Sequence, residues 1–452
     1  MINRFPLLFI ILLIPSFLFS QDLEGSWEGK LKISPEVALR VVINITDLKS
    51  DTPLVTIDSP DQGAYGIPVN VGFISNDSIS LSVPKLLLTY RGKLDANSIK
   101  GEFSQGGMVL PLILSPKSNY LNRPQTPTTP FPYNSEEVSF PSSIDQNLLY
   151  GTFTSPVNTT SKTPVVVMLS GSGTQNRDEE IFEHKPFAVI ADFLAKKGIA
   201  SLRYDDRGFD SSTGLTPNQT TYENAMDAKG AVDYLKSKGF KEIGLIGHSE
   251  GGLIADMLAS SDNDIDFVVE IGGPTLSGDS ILLFQNEFLL KDGKMPEEYI
   301  SIYLDAMKGM FNSQKNNSSI SFNESDYDIF SDKLTYNPIV APLAENLRQN
   351  FRELKPWLKF FINYDPMKDI KKIKCPILFL YGEKDTQVPP ALNVPILEKE
   401  YPKAKIKVYP ELNHLMQHAK TGKVTEYAEI EETISPEVLE DITDFIKSIA
   451  EN

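Results

Sequence analysis

The stretch that decides the fold runs from Glu242 to Ala255 and reads Glu-Ile-Gly-Leu-Ile-Gly-His-Ser-Glu-Gly-Gly-Leu-Ile-Ala. Its first half is an apolar run typical of a buried strand, and its second half has the pattern of a helix start. Between them, Gly247 to Gly251 fit Gly-x-Ser-x-Gly, in which the serine occupies a sharp strand-to-helix turn. Glycines are needed there because neighbouring side chains would clash. The stretch therefore predicts an α/β sheet with Ser249 exposed at the end of one strand.

Strands and helices alternate on both sides of this turn, which indicates a doubly wound, mostly parallel sheet. The expected strands are Pro164–Ser170, Ile199–Tyr204, Glu242–Gly247, Phe267–Ile271, Pro376–Tyr381 and Ala404–Tyr409. The expected helices are Lys185–Lys197, Tyr222–Lys238, Gly252–Ser260 and Pro436–Ala450. Two further strands, Val138–Phe140 and Leu148–Phe153, should pair as an opening hairpin.

This alternation is interrupted between Asp279 and Lys371, where helical patterns surround a polar patch. A long insertion in a compact domain usually has a function. We expect residues 279–371 to form a helical cap, so that the α/β core comprises residues 135–278 and 372–452.

The first part of the chain has a different pattern. Residues 21–120 contain short alternating strands separated by turn clusters, which predict a small antiparallel barrel or sandwich of about eight strands. Residues 121–134 are rich in proline and threonine and are expected to form a semi-rigid linker.

Residues 1–20 have the pattern of a secretory signal peptide, because Arg4 precedes the apolar run Phe5–Phe19 and Ser20 is small. The run is short for a membrane span and is interrupted by prolines. We expect an exported protein, periplasmic or extracellular, with no stable membrane insertion after cleavage. An uncleaved N-terminal anchor is the alternative.

The composition excludes some other classes. A net charge of −17 argues against a nucleic-acid partner, which would require clustered lysines and arginines. Cys375 is the only cysteine, so no intrachain disulfide can form, and its apolar surroundings favour a core position.

A serine hydroxyl becomes an effective nucleophile when a histidine takes its proton and an acid holds that histidine in one tautomer. On such a strand-to-helix turn the acid follows the serine and the histidine comes last. His414, just past a predicted strand, is favoured over His418, the one other histidine after Ser249. For the acid, Asp385 is favoured, and Glu383 in the same loop is the fallback.

The oxyanion formed during acyl transfer needs two backbone N–H donors. One should belong to Glu250, the residue after the serine. The other should come from the glycine-rich loop after the first buried strand, where Ser172 is favoured and Gly171 is its neighbour. This chemistry requires neither a metal ion nor an organic cofactor.

Two side chains near the site have competing interpretations. The carboxylate of Glu250 either binds a polar substrate group or water, or forms a salt bridge with Arg177 or Arg207, and the salt bridge is favoured. Trp357, with Phe360 and Phe361, either packs inside the cap or forms a substrate wall, and the first is favoured.

Five segments together resemble a bacterial family of capped α/β-hydrolase esterases, which is related to the serine aminopeptidase-like hydrolases. They are Gly171–Glu179, His184–Phe187, Arg203–Gly208, Gly247–Gly252 and Gly382–Pro389. The resemblance extends from about Ser135 to the C-terminus, and the N-terminal part looks like the extra β domain of some members. It implies a carboxylesterase for short acyl esters with a triad of Ser249, Asp385 and His414. The chain departs from the family pattern at Phe209–Ser212, which affects only the shape of that loop.

The leading hypothesis is therefore hydrolysis of a small-molecule ester through an acyl-enzyme. A serine exopeptidase is the alternative within enzymes, since Glu250 or cap carboxylates could bind a substrate amine. A third hypothesis is an inactive homologue whose β domain binds a polysaccharide, against which the complete set of catalytic residue types argues.

Overall fold

The computed structural model describes residues 23–33, 38–46, 48, 50, 53–60, 64–75, 77–95, 97–116, 122–214, 219–316, 347 and 354–450. The chain divides into two units, Met1–Tyr120 and Leu121–Asn452. Each unit has its own hydrophobic core. The predicted signal peptide, residues 1–20, lies outside the described residues.

The first unit is an antiparallel sheet, which confirms the predicted all-β domain. Its described strands are β1 Gly25–Lys32, β2 Ala38–Thr46, β3 Leu54–Ser59, β4 Ala64–Pro68, β5 Asn70–Ile74, β6 Ser78–Val83, β7 Leu88–Asp95, β8 Ser98–Gln105 and β9 Met108–Pro116. They are hydrogen-bonded in the order β4-β3-β2-β1-β9-β8-β7-β6-β5. The described strands number nine, one more than the sequence predicts.

Alternation of apolar and polar residues gives this sheet one buried face. In β6, for example, Ile79, Leu81 and Val83 are buried, and the serines between them are partly exposed. Tyr90 is also buried, and its hydroxyl lies 3.2 Å from the carbonyl oxygens of Ile99 and Leu112, so its polar end is satisfied.

The second unit contains an eight-stranded sheet with the order β10-β11-β13-β12-β14-β15-β16-β17. Its strands are β10 Asn134–Pro141, β11 Leu148–Ser155, β12 Val165–Leu169, β13 Ala200–Tyr204, β14 Ile243–His248, β15 Phe267–Ile271, β16 Ile377–Gly382 and β17 Lys405–Tyr409. The first two form the predicted antiparallel hairpin, and the strands from β13 to β17 are parallel.

Helices cover both faces of this sheet, as the doubly wound prediction requires. The described helices are α1 Pro186–Lys196, α2 Thr221–Ser237, α3 Glu250–Ser261, α4 Gly278–Asp292, α5 Glu297–Asn316, α6 Pro356–Asn363, α7 Met367–Ile370, α8 Pro390–Glu400 and α9 Pro436–Ala450. One apolar cluster includes residues of α2, α3 and α8, and the other includes residues of α1 and α9. None of the helices in the described ranges is long and apolar enough to cross a membrane.

The region predicted to form a cap is helical where the structure describes it. Helices α4 to α7 occupy most of the described part of residues 279–371. An apolar cluster that includes Ile300, Met307, Phe311 and Ile362 holds α4, α5 and α6 together. Much of the remaining predicted cap, including residues 317–346, lies outside the described residues.

The proline- and threonine-rich segment is hydrogen-bonded to the second unit, although the sequence predicts a linker there. Outside this segment, the Arg123 guanidinium donates to three backbone carbonyl oxygens, those of Phe182, Ala428 and Ile430. Gln125 adds a hydrogen bond from its side chain to the carbonyl oxygen of Ile434, 2.7 Å away. We call residues 122–134 the strap.

Candidate active site

Ser249 lies between β14 and α3, on the turn that the sequence predicts. Its backbone has φ 53° and ψ −118°, a left-handed conformation that is rare for a residue with a side chain. Its N–H donates to the carbonyl oxygen of Ile271, 2.9 Å away, which ties the turn to β15. A Cβ atom on Gly251 would lie 2.0 Å from the carbonyl oxygen of Leu169, so the turn can form only with glycine there.

Asp385 and His414 form a buried pair. The Nδ1–H of His414 donates to Oδ2 of Asp385 at 2.6 Å, and both side chains are almost fully buried. The other carboxylate oxygen accepts the N–H groups of Gln387 and Val388, each at 2.8 Å. This arrangement fixes the imidazole tautomer and leaves Nε2 as the basic nitrogen. Glu383, the fallback acid, is exposed instead.

Ser249 and His414 line the same cavity, which has a volume of about 320 Å³. Its wall combines core loops with cap helices. The other residues that line it are Gly171, Ser172, Gln175, Glu179, Ile181, His248, Glu250, Pro274, Ile281, Leu282, Gln285, Trp357, Phe361, Gln387, Val388, Leu415 and Tyr427. A cavity of this size is in the range that binds small molecules.

The loop after β12 approaches the serine closely. A Cβ atom on Gly171 would lie 3.4 Å from Cβ of Ser249. The N–H of Gly171, however, donates to Oε1 of Glu179 at 2.6 Å, so it is already used. Ser172 therefore remains the better candidate in this loop for an oxyanion donor, together with the N–H of Glu250 at the start of α3.

Glu179 also connects this loop to the two histidines of the site. Its Oε1 accepts a hydrogen bond from Nδ1 of His248 at 2.8 Å, and Nε2 of that ring lies 3.1 Å from the carbonyl oxygen of His414. Because both partners are acceptors, both ring nitrogens must donate, which requires a protonated imidazole. Burial alone would lower the pKa of His248, but the Glu179 carboxylate outweighs it and raises the pKa above its ordinary value.

The charged residues after β13 hold the same loop from its other side. Asp205 accepts the backbone N–H of Arg177 at 2.7 Å and also binds its guanidinium. Asp206 accepts the N–H of Gln175 at 2.8 Å. These two aspartates thus fix the glycine-rich loop beside the cavity.

The prediction of a salt bridge between Glu250 and an arginine is wrong. Arg177 binds Glu137 and Asp205, and Arg207 binds Asp145 and Asp227. Both arginines are thus neutralised by carboxylates other than that of Glu250.

Glu250 instead accepts hydrogen bonds from uncharged groups. Its Oε1 binds the hydroxyl of Thr221 at 2.6 Å and the indole N–H of Trp357 at 2.8 Å. Its Oε2 is buried and has no hydrogen-bond partner among the described residues.

Trp357 and Phe361 form part of the cavity wall, so the expectation that they serve only as cap core is incomplete. Their rings are stacked with centroids 5.0 Å apart. Phe360 stacks on Tyr364 instead and does not line the cavity.

Two buried carboxyl groups, those of Asp256 and Glu270, lie next to each other near the turn that carries Ser249. Asp256 of α3 and Glu270 of β15 are fully buried, and their carboxyl groups are hydrogen-bonded to each other, with no other hydrogen-bond partner among the described residues. Burial raises the pKa of Glu270 to about 8, and burial together with the Glu270 charge raises the pKa of Asp256 well above its ordinary value. The pair therefore holds a proton at neutral pH, and it lies on α3, which follows Ser249, and on β15, which accepts the Ser249 N–H.

Comparison with known proteins identifies the family. The family described as the alpha/beta hydrolase fold matches residues 164–421, more than half of the chain. The chain belongs to the α/β-hydrolase family. Its predicted fold class is thus confirmed by the family match as well as by the sheet topology.

Individual relatives of this α/β-hydrolase include esterases. Esterase EstD of Thermotoga maritima is 29% identical over 259 residues, which cover 56% of this chain and 54% of that esterase. The match thus spans about half the length of that relative. Esterase Pf2001 of Pyrococcus furiosus is 19% identical, with 72% of this chain and 97% of that chain covered and a TM-score of 0.43. Proline iminopeptidase of Mycobacterium smegmatis is 14% identical, with 70% and 99% covered and a TM-score of 0.43.

Two residues of the hydrolase site were missed by reasoning from sequence. Glu179 lies at the end of the glycine-rich loop, and nothing in its spacing shows that it binds Gly171 and His248. Thr221 begins α2, and its contact with Glu250 joins positions 29 residues apart. The signal available in the sequence was the charged end of the Gly171–Glu179 segment.

The remaining residues considered from the sequence, His418 and Cys375, do not line the cavity. His418, the histidine not favoured as the base, is exposed and binds Glu432. Cys375 is partly buried, and burial raises the pKa of its thiol to about 11, which makes it unreactive at neutral pH. Among the described residues of the hydrolase, no group of three or more His, Cys, Asp or Glu side chains is placed to hold a metal ion.

Proposed function

We propose that this α/β-hydrolase is a serine esterase that cleaves small-molecule carboxylic esters through an acyl-enzyme. The observation that supports it most directly is the buried Asp385–His414 pair, whose histidine lines the same cavity as Ser249 on its left-handed turn. These are the residue types, the chain order and the burial that nucleophilic acyl transfer requires.

In the first half-reaction, Oγ of Ser249 attacks the ester carbonyl carbon while Nε2 of His414 takes the hydroxyl proton. Asp385 stabilises the imidazolium that forms. The negative charge on the carbonyl oxygen is stabilised by the N–H groups of Glu250 and Ser172. The C–O bond to the leaving alcohol then breaks, and His414 returns the proton to that alcohol.

In the second half-reaction, water attacks the acyl-serine. His414 takes a proton from the water, and the second tetrahedral intermediate uses the same two N–H donors. When it collapses, the bond to Oγ breaks, His414 protonates Ser249, and the carboxylic acid leaves.

A serine exopeptidase is the second candidate. It differs in the leaving group, an amine that His414 must protonate before it departs. The presence of Glu250 in the cavity wall favours it, since an aminopeptidase needs an acidic group near the substrate amine. The esterase is preferred because the curated relative that matches the core is named an esterase.

Export is also part of the proposal. The positive start and the apolar run of residues 1–20 support it. N-terminal sequencing of the protein produced in a bacterial host should give a mature chain that begins near Gln21, and a chain that retains Met1 would contradict this.

The test of the activity compares wild type with Ser249→Ala on p-nitrophenyl esters of two to eight acyl carbons and on aminoacyl p-nitroanilides. We expect ester hydrolysis by the wild type and a loss of about 10³-fold or more in the variant. Ester hydrolysis that survives in Ser249→Ala would disprove the nucleophile. Turnover of the anilides alone would assign the exopeptidase instead.

A further inference from the structure

Two carboxylates line the cavity beside Ser249, those of Glu179 and Glu250. Within the described ranges, no lysine or arginine lines this cavity. The charge of Glu179 is matched by the protonated ring of His248, 2.8 Å away. Among the residues that the structure describes, Glu250 has no cationic partner of this kind, so the described cavity wall is negative at that point.

The buried carboxylate of Glu250 is therefore only partly compensated. Thr221 and Trp357 donate to Oε1, and both donors are neutral. The N-termini of α2 and α3, where Thr221 and Glu250 lie, add partial positive charge. Neither supplies a full charge, and Oε2 remains without a hydrogen-bond partner among the described residues. A buried anion in this state is costly, and a cationic or hydrogen-bond-donating ligand would lower that cost.

The side chains around Glu250 also favour a cationic ligand. Aromatic side chains of Trp357, Phe361 and Tyr427 line the cavity, and aromatic faces attract cations. Burial raises the pKa of nearby Asp206 well above its ordinary value, and the negative charge of Glu250 contributes. The region around Glu250 and Asp206 thus has too little positive charge to balance its carboxylates.

We propose that Glu250 is a specificity-determining residue that binds an ammonium or hydroxyl group on the acyl part of the substrate. The acyl part is the relevant one because Glu250 directly follows Ser249, to which the acyl group becomes attached. The inference rests on the proposed esterase function. It makes amino- and hydroxyacyl esters the preferred substrates and disfavours acyl groups that carry a carboxylate.

The test uses four p-nitrophenyl esters with the same two-methylene acyl chain, which ends in a methyl, ammonium, hydroxyl or carboxylate group: butyrate, β-alaninate, 3-hydroxypropionate and the succinate half-ester. The quantity compared is kcat/KM relative to butyrate, corrected for spontaneous hydrolysis. We expect the wild type to favour the ammonium ester over the carboxylate ester by about tenfold or more. Glu250→Gln keeps the size and an acceptor oxygen but removes the charge, and should lower the ratio of β-alaninate to butyrate by about tenfold.

Glu383→Gln is the matched control, because this exposed carboxylate does not line the cavity. It should leave that ratio unchanged. An unchanged ratio in Glu250→Gln would overturn the inference while leaving the esterase intact. If Glu250→Gln does not fold, equal wild-type rates for the ammonium and carboxylate esters would overturn it. Absence of Ser249-dependent hydrolysis of all four esters would overturn the esterase function, and the inference with it.

Discussion

Asp385 uses both carboxylate oxygens in hydrogen bonds, and this distinguishes it from every other acid in its loop. One oxygen is fixed by the N–H groups of Gln387 and Val388, so the other points at His414 without rotational freedom. Glu383 is exposed on the same loop. An acid that orients a base must itself be held still, and of the two acids in this described loop Asp385 satisfies this condition.

We therefore expect Asp385→Asn to lower kcat for ester hydrolysis by about 10²- to 10⁴-fold, because an amide cannot stabilise the imidazolium or hold the required tautomer. Glu383→Gln should stay within about twofold of wild type, as is usual for exposed positions. Both are measured with p-nitrophenyl butyrate at pH 7. A larger loss in Glu383→Gln would transfer the acid role to that residue.

At the scale of elements, a buried pair of carboxyl groups that keeps a proton at neutral pH lies where α3 packs on β15. Asp256 and Glu270 face each other across this junction, and the groups that interact with them include the acid Asp369 and the phenol of Tyr364. The charge of Asp369 opposes ionisation of Asp256, and the charges of Asp256 and Glu270 in turn raise the pKa of Tyr364. The two elements that carry Ser249 and receive its N–H bond are thus packed around a protonated pair.

The free energy of unfolding should therefore depend on pH, and the direction of this dependence follows from the raised pKa of Glu270. The unfolded chain releases the Glu270 proton near its ordinary pKa of 4.5, whereas the folded chain retains it to about pH 8. The folded state therefore binds more protons in this window, so the free energy of unfolding falls as pH rises from about 4.5 to 8, by at most about 1.4 kcal/mol per pH unit for each proton.

Glu270→Gln should flatten this dependence, because its side chain does not titrate. The measurement is the Tm of wild type and variant at half-unit steps from pH 5 to pH 8.5. Glu431→Gln, at an exposed position, serves as the control and should keep the wild-type slope. A slope in Glu270→Gln equal to that of wild type would show that the pair is not the source.

At the scale of the whole molecule, the chain consists of two units with separate cores, and every residue of the candidate site belongs to the second. The strap belongs to this unit as well, because Arg123 satisfies three of its backbone carbonyl groups. A fragment that starts at Ser135 would leave those carbonyls without their donor.

We expect the fragment Leu121–Asn452 to fold and to hydrolyse p-nitrophenyl butyrate with a kcat/KM within about threefold of the full chain. A fragment from Ser135 to Asn452 should have a lower Tm, because it lacks the strap. Equal Tm values for the two fragments would show that the strap hydrogen bonds contribute nothing.

Much of this architecture could be predicted from local patterns. The strand and helix periods around Ser249 give the doubly wound sheet, and the fixed chain order of such folds singles out His414 and Asp385. The partners of Glu250 could not be obtained in this way, because Thr221 and Trp357 are distant from it in the chain, and Trp357 meets it only where the cap packs on the core. The strap was missed for a related reason: proline content excludes helix but does not reveal where a segment is bound.

The left-handed backbone of Ser249 affects which residue selection would favour at this position. A residue with a side chain is destabilised in such a conformation by about 1–3 kcal/mol, whereas glycine adopts it freely at an entropic cost of about 0.5–1 kcal/mol in the unfolded chain. Glycine at this position would thus give a more stable protein that lacks the proposed nucleophile. A lineage selected for stability alone would drift toward that replacement. Under the proposed function, the serine is retained at this cost in stability because its hydroxyl supplies the nucleophile.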